Sequence, residues 1–499
     1  MKHYKALLCL SFLFVAGLTF SLQGQDVGQT SGQPKPQIQN QKQDFVPANL
    51  GINNRRKGPV KIGAPVSFKT KEGKKAWKVV IPGNRPLATP AVVDGKVYVG
   101  GGFGSFEFYA LDAKTGKQVW QYRTGDDGPT AAVVSDGYIA FNTESCELEV
   151  VSIKGKRIWK KWLGDPLMSM PAINNGKVFM AFPNSRGDRK HYLACFDLKT
   201  GKEHWRKVIP GDIITAPVIE DNQIYVSTLE GTVTCFNETS GKVVWQDKKN
   251  ATSSVAVYKG KCYFSQREAT KIKGKDGKLI VQQMESLALR PVAVGGKIVK
   301  LSETSRKADY LDFKKRTVHS SLEDANKKID GTVGFASAPA AAKLYQANKN
   351  LGVGTVCSVW SYQGSRPFFY KGNLVSSMGD ELKCVDPKTK KLLWSTKIES
   401  KSKTKILVDS HLTPPAIVNG KMFLGTSTGE VLCMNAESGK LLWKATVGEP
   451  ILFQPAVMNG HVYVSSSTGS VFCVETGDAN DTGWAMWGGN PCHNGVVEQ

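Results

Sequence analysis

The sequence predicts an all-β fold, an eight-bladed β-propeller with four-stranded antiparallel blades and a partly helical insertion. Three observations predict it. A unit of roughly 40 residues recurs along most of the chain, which is the kind of period that propellers and solenoids show. Asx-Gly dipeptides return at one slot of that unit, between short β-branched and aromatic runs, and such runs read as hairpins because a type I′ turn needs positive φ at both central residues. In five copies a tryptophan follows an alanine or cysteine by ten residues.

The chain opens with a basic start, Lys2 and Lys5, and a largely apolar stretch over residues 6–20, with Ser21 and Gly24 small enough for cleavage. Residues 1–24 are therefore expected to be a signal peptide, and the mature chain to be exported. Cys9 lies inside the apolar stretch, too early for a lipoprotein cleavage site. No later run reaches ~18 uninterrupted apolar residues, so no transmembrane segment is expected in the mature chain. Residues 25–72 are read as a flexible N-terminal tether, since 26–44 are rich in Gln, Gly, Ser and Pro and hold almost nothing to bury. The propeller is placed at 73–490 and a C-terminal tail at 491–499.

Within the propeller the hairpin slots are Asp94-Gly95, Asp136-Gly137, Asn175-Gly176, Asp221-Asn222, Lys259-Gly260, Lys371-Gly372, Asn419-Gly420 and Asn459-Gly460, which makes eight. The second half of each unit runs from Ala110 to Trp120, Cys195 to Trp205, Cys235 to Trp245, Cys384 to Trp394 and Cys433 to Trp443, and Trp159 holds the same place with one residue fewer. Between each pair lies a turn in which an Asp or Asn side chain caps backbone amides and a Gly takes a left-handed conformation. Four short strands cannot close a core alone, so the units must stack as blades around an axis. Their phasing to one strand makes Trp77, Trp120, Trp159, Trp205, Trp245, Trp394, Trp443 and Trp484 blade-docking residues rather than a stripe that stacks ligands.

Closure is read from the ends. Gly73-Lys-Lys-Ala-Trp77 looks like a fourth strand with no preceding three, and a first strand that completes the last blade removes exposed edges. Trp484 competes for that slot. One region breaks the period: Trp245 and Trp394 stand 149 residues apart, where two units need roughly 85. A degenerate fifth blade is expected near 253–289 and an insertion at about 302–365. Inside the insertion, 337–352 has an N-cap Ser, a Pro in its first turn, an Ala-rich interior and a Gly stop, which predicts a short helix. Ser320-Ser-Leu-Glu323 resembles a capping box opening another. The segment 290–299 stays open as a ninth hairpin.

The run from Ala110 to Trp120, Ala-Leu-Asp-Ala-Lys-Thr-Gly-Lys-Gln-Val-Trp, resembles the tryptophan-docking motif of the pyrroloquinoline-quinone (PQQ)-like propeller superfamily, as do its weaker copies. That superfamily includes quinoprotein alcohol dehydrogenases and the outer-membrane assembly lipoprotein BamB. The resemblance covers about residues 77–487 and implies the fold together with two uses. BamB-like proteins hold partner proteins on blade edges and loops; the dehydrogenases bind PQQ with calcium, typically beside a vicinal cysteine pair, a Glu, Asn and Asp calcium site and a catalytic Asp. No two cysteines are adjacent here, so no cofactor ligand is carried onto a numbered residue.

Other chemistry is thin. There is no Cys-x-x-Cys-His for haem attachment and no His-Glu-x-x-His for zinc. Asp478-Ala-Asn-Asp-Thr-Gly483 partly matches a calcium loop, but its twelfth position is Gly489 rather than a bidentate Glu, so it is read as an Asx-rich turn. Gly100-Gly-Gly-Phe-Gly104 has no helix behind it and is read as a loop rather than a phosphate cradle. Five of the cysteines, Cys195, Cys235, Cys384, Cys433 and Cys473, share one strand position and are read as small buried hydrophobes. Trp360, Tyr362, Arg366, Phe368 and Phe369 stand out of phase at the exit of the insertion, and they form the candidate partner surface. The composition, 41% hydrophobic and 22% charged, excludes a wholly disordered chain, and a net charge of +23 favours anionic partners without any specific nucleic-acid motif.

The expected function is therefore a non-catalytic binding or assembly scaffold in the bacterial periplasm or envelope, with protein partners or an anionic polymer. The alternatives are a PQQ-dependent alcohol or sugar dehydrogenase, with PQQ and calcium as cofactors, and a basic polysaccharide-binding module.

Overall fold

The computed structural model describes residues 61–498, apart from short gaps and three longer ones at 294–302, 308–366 and 399–411. Every described regular element is a strand. Seven blades hold four antiparallel strands each: blade 1 spans residues 91–123, blade 2 133–162, blade 3 172–209, blade 4 218–248, blade 5 368–397 and blade 6 416–446. Blade 7 takes three strands from 456–475 and its outer strand, Lys75–Val80, from the other end of the chain.

Each inner hairpin forms where the turn chemistry places it. All eight slots carry positive φ at both central residues, from Asp94 at 49° and Gly95 at 69° to Asn459 at 49° and Gly460 at 74°. At these positions Gly adopts the left-handed conformation without cost and Asx tolerates it, and the turn twist matches that of the paired strands. The turns between third and fourth strands also form as their residues dictate: Asp112 Oδ1 accepts from the Thr115 amide at 2.8 Å and hydroxyl at 2.7 Å, and Asn435 Oδ1 does the same for Ser438 at 2.8 and 2.9 Å.

The expected eight four-stranded blades are one too many. Between blades 4 and 5 stands a sheet of only three strands, Ala256–Tyr258, Lys261–Tyr263 and Val292–Ala293. Val257 and Cys262 pack with blade 4, and Ala256 and Tyr263 with blade 5. The residues that should supply a third and fourth strand instead form a separate sheet, Gln266–Lys273 with Leu279–Ala288 and Glu303–Lys307. This stretch carries no tryptophan, so it lacks the anchor by which the other fourth strands dock on the next blade. Of the segment left open as a ninth hairpin, Val292–Ala293 pairs with Lys261 and Cys262 as the third strand of this sheet, and the rest of 290–299 lies outside the described residues.

The expected partly helical insertion is corrected as well. No helix occurs among the described residues, and the insertion opens as the strand Glu303–Lys307. The segments read as helices, 320–323 and 337–352, lie outside the described residues.

Closure follows the first of the two competing readings. Trp77 pairs with Cys473 across the blade 7 ladder, and an extra strand, Val66–Lys69, covers the outside of Lys75–Val80. Trp484 forms an isolated bridge to Val457 on the inner strand, so it does not occupy the outer slot.

Candidate functional site

Two places collect the residues that the sequence singles out: the interfaces between blades, and the axis.

At the interfaces, one tryptophan of each outer strand reaches the next blade. The indole N–H of Trp77 donates to Ala113 O at 3.2 Å, Trp120 to Ile153 O at 3.0 Å, Trp159 to Leu198 O at 2.9 Å and Trp205 to Glu238 O at 3.0 Å. Each acceptor is the first residue after the neighbour's third strand. The ring lies on the turn glycine of that neighbour: a Cβ at Gly155 would sit 2.7 Å from the Trp120 ring and one at Gly439 2.4 Å from Trp394. Glycine is required there twice over, by contact and by a φ of 77° at Gly155 and 66° at Gly439. Trp443 lies under Lys74, whose ammonium is 4.3 Å from its ring centre. Trp245, whose neighbour is the three-stranded sheet, is buried with no acceptor for its N–H among the described residues.

A bulge precedes six of these rings, and Trp77 docks without one. In blades 1 to 6 the strand pairing skips the residue before the tryptophan, as at Val119 between Gln118 and Trp120 and at Leu442 between Leu441 and Trp443. An extra residue bends the strand and increases its local twist.

The axis is filled by the chain itself. Residues 484–498 cross the inner strands and pair with the middle residue of most of them. Val92 N donates to Ala485 O at 2.6 Å, Ile173 N to Pro491 O at 3.0 Å, Ile219 N to Cys492 O at 2.9 Å, Phe369 N to Gly495 O at 3.1 Å and Val457 N to Trp484 O at 2.7 Å. The Val257 amide is taken by Asn494 Oδ1 at 2.9 Å. Gln454 fixes the segment by accepting from Gly488 N at 2.8 Å while donating to Pro415 O at 2.7 Å. Trp487, 1% exposed, clusters with Ala88, Ala131, Met170 and Ala216, which lead into the inner strands of blades 1 to 4. A side chain shared by four successive blades lies at the centre of the ring.

Of the expected partner surface, Phe368 and Phe369 are fully buried: they lie on the blade 5 inner strand, packed against Trp484 at 5.4 Å and Tyr258 at 4.5 Å. Apolar residues on an inner strand face two neighbouring blades, so neither offers an exposed surface. Trp360, Tyr362 and Arg366 lie outside the described residues.

Of the described cysteines, all but the half-buried Cys492 sit in the core. Burial pushes the thiols of Cys195, Cys235, Cys384 and Cys433 up to about 12, so none is a thiolate nucleophile at neutral pH. The sequence reading missed a polar seam between blades 1 and 2. Glu149 is fully buried and accepts from the Tyr122 hydroxyl and, at 2.7 Å, from Gly125 N; burial holds its carboxyl above the usual range. Lys160 pairs with Glu147 at 2.9 Å. The signal was there in Glu149, which stands one residue before the tryptophan's partner on its third strand, where blades 1, 3, 4, 6 and 7 carry Tyr109, Ala194, Thr234, Leu432 and Phe472. A second polar knot stands at closure. Glu449 accepts from Lys78 at 2.5 Å, Ser466 at 2.7 Å, Thr468 at 2.5 Å and Ser470 at 3.1 Å. Burial alone would raise its carboxyl, but these donors outweigh burial and bring it down to about 2.

The residues present do not fit a quinone with calcium. Trp487 takes the centre of the ring, the chain has no adjacent cysteines, and the described residues bring together no group of three or more His, Cys, Asp or Glu side chains able to hold a metal.

Repeat period, tryptophan interfaces and strand exchange together define a PQQ-like repeat propeller. A family model described as outer membrane protein assembly factor BamB matches residues 63–164, 147–290 and 381–487, and the chain belongs to that family. The outer membrane protein assembly factor BamB of Burkholderia pseudomallei is 26% identical over 226 residues, covering 35% of this chain and 58% of the relative. The quinohemoprotein alcohol dehydrogenase ADH-IIG of Pseudomonas putida is 29% identical over 176 residues, 31% of this chain and 24% of that one. Both matches thus span less than two thirds of the relative. Among solved structures, Sqt1 of Saccharomyces cerevisiae superposes with a TM-score of 0.53 at 11% identity, over 83% of this chain and 99% of Sqt1. The designed protein Ika8 gives 0.52 at 13% identity, over 79% and 96%. These two speak for the fold alone. No described helix is long and apolar enough to cross a membrane.

Proposed function

We propose that this chain is an exported, non-catalytic scaffold of the bacterial envelope that holds partner proteins during outer-membrane protein assembly. The observation that carries the reading is the filled axis: Trp487 and the segment around it occupy the centre where a propeller would otherwise take a small ligand. The family membership and the assembly-factor name of the Burkholderia relative support it. In this reading residues 1–24 are removed on export, the residues from 25 to the edge strand Val66–Lys69 tether the propeller, and the interface tryptophans lock blades instead of binding a partner.

The competing reading is a PQQ-dependent dehydrogenase, favoured by the Pseudomonas relative. Purified mature protein supplied with PQQ and calcium is expected to reduce no dye over a panel of alcohols and sugars; substrate-dependent turnover would overturn the scaffold. Deleting the chain from its host is expected to lower the amount of folded outer-membrane β-barrel protein, and unchanged amounts would count against an assembly role.

A further inference from the structure

His493 lies at the centre of the axial segment and is 1% exposed. Its Nδ1 is 2.8 Å from Trp487 O and its Nε2 is 2.9 Å from Pro171 O, just before the inner strand of blade 3. Both partners are backbone carbonyls, which only accept. A neutral imidazole has one N–H and one lone pair, so either tautomer leaves a bare nitrogen facing an oxygen at hydrogen-bond distance. The imidazolium alone donates at both. The backbone of His493 lies at a φ of 60° with its own amide donating to Asn490 O at 3.0 Å, and the ring is packed on Trp487 with 4.8 Å between centres.

We propose that His493 is a doubly protonated latch, which as imidazolium ties the axial segment to blade 3 and on losing a proton loosens that segment. The titratable groups on the elements packed around it are Cys492 and Glu498 on its own segment, Glu220 at the end of the blade 4 inner strand and Glu238 beside the blade 3 hairpin. Glu220 accepts from Asn494 Nδ2 at 2.7 Å and Glu238 from Asn174 Nδ2 at 2.9 Å. Burial keeps the Cys492 thiol neutral by raising it to about 11 and raises the Glu220 carboxyl as well, so a compensating negative charge has to come from these carboxylates against the effect of burial. Burial by itself disfavours an imidazolium; in the proposed latch the two carbonyls, which bind only the charged form, outweigh burial, so the folded chain holds the second proton more tightly than the unfolded chain does. The stabilisation is therefore complete below the unfolded pKa of about 6.5 and is lost as pH rises through the higher folded value.

The test uses the full mature chain labelled with ¹⁵N only at histidine. At roughly pH 8 an ordinary imidazole holds its second proton only a few per cent of the time. The latch predicts one imidazole with both nitrogens protonated at that pH, a signal that vanishes in His493→Gln. If every imidazole of the wild-type chain is neutral there, the proposal is overturned, and this holds whether or not the variant folds. Hydrogen exchange, corrected for intrinsic rates, gives a second readout. The protection of the Ile173 and Ile219 amides, which the segment binds, is expected to fall at least about tenfold further between pH 7 and 10 in the wild type than in H493Q, the change produced when the folded value lies above about 8. Equal falls would also overturn it. Neither readout depends on what the propeller assembles.

Discussion

In blades 1 to 6 the outer strand carries an extra residue just before its tryptophan, whereas the outer strand of blade 7, Lys75–Val80, runs without a bulge and is covered by Val66–Lys69. The bulged strands expose apolar side chains beside the interruption: Val119 is 50% exposed, Leu393 45% and Leu442 50%. A regular strand bearing such residues would present a row of unpaired amides and carbonyls to any other chain, and an extra residue breaks that row. Blade 7 needs no such interruption, because a strand of the same chain already pairs with its edge. The extra residue is not needed to direct the indole, since Trp77 reaches Ala113 O of the next blade from a regular strand.

The largest test of this comparison removes residues 1–80. Blade 7 would then keep only three strands and expose a regular edge, and the stability lost is expected to exceed about 5 kcal/mol, enough to abolish folding of a typical domain. Size-exclusion chromatography should find aggregates; a monomer that melts like the wild type would break the comparison. Trp77→Ala comes next. Trp77 is 5% exposed and joins the closing strand to blade 1, so chemical denaturation should show a loss of about 3–5 kcal/mol, with Trp120→Ala, half-buried, costing less.

Gly155→Ala should cost about 1–3 kcal/mol, because the new methyl meets the Trp120 ring at 2.7 Å on a backbone with a φ of 77°. Gly95→Ala, whose Cβ meets nothing within 4 Å, should cost less, and equal losses in thermal melts would show that contact with the ring is irrelevant. Deleting Leu442 should leave the melting temperature within a few degrees while light scattering reports self-association, since the edge becomes regular like that of blade 7. The smallest effect is on acid stability. Glu449 is held down to about 2, so its contribution is present above the ordinary carboxylate value of 4.5 and is lost as pH falls through about 2. Glu449→Gln should therefore flatten the decline between about pH 5 and 2, and an unchanged slope would remove this closure knot from the account.

The local pattern was legible wherever one residue type is needed for a stated geometry. Positive φ demands Asx or Gly, so the inner hairpins could be placed from Asp94-Gly95 onward. The ten-residue spacing from Ala110 to Trp120 marks the paired strands because those two residues stand directly across the ladder. The fifth slot misled the blade count, since a good hairpin at Lys259-Gly260 says nothing about whether a fourth strand with its tryptophan follows it. Phe368 and Phe369 misled for a related reason: being out of phase with the tryptophans identifies an inner strand as readily as a surface.

From its sequence alone this protein has its turns, its repeat and the phase of its indoles, because each depends on residues close together in the chain. Tertiary structure decided that Trp77 rather than Trp484 closes the ring, that seven blades are complete, and that the last residues cross the axis. Those outcomes pair groups up to nearly 400 residues apart, such as Trp77 with Cys473. A strand edge is satisfied by any chain that reaches it, so which segment does so is set by competition across the whole fold.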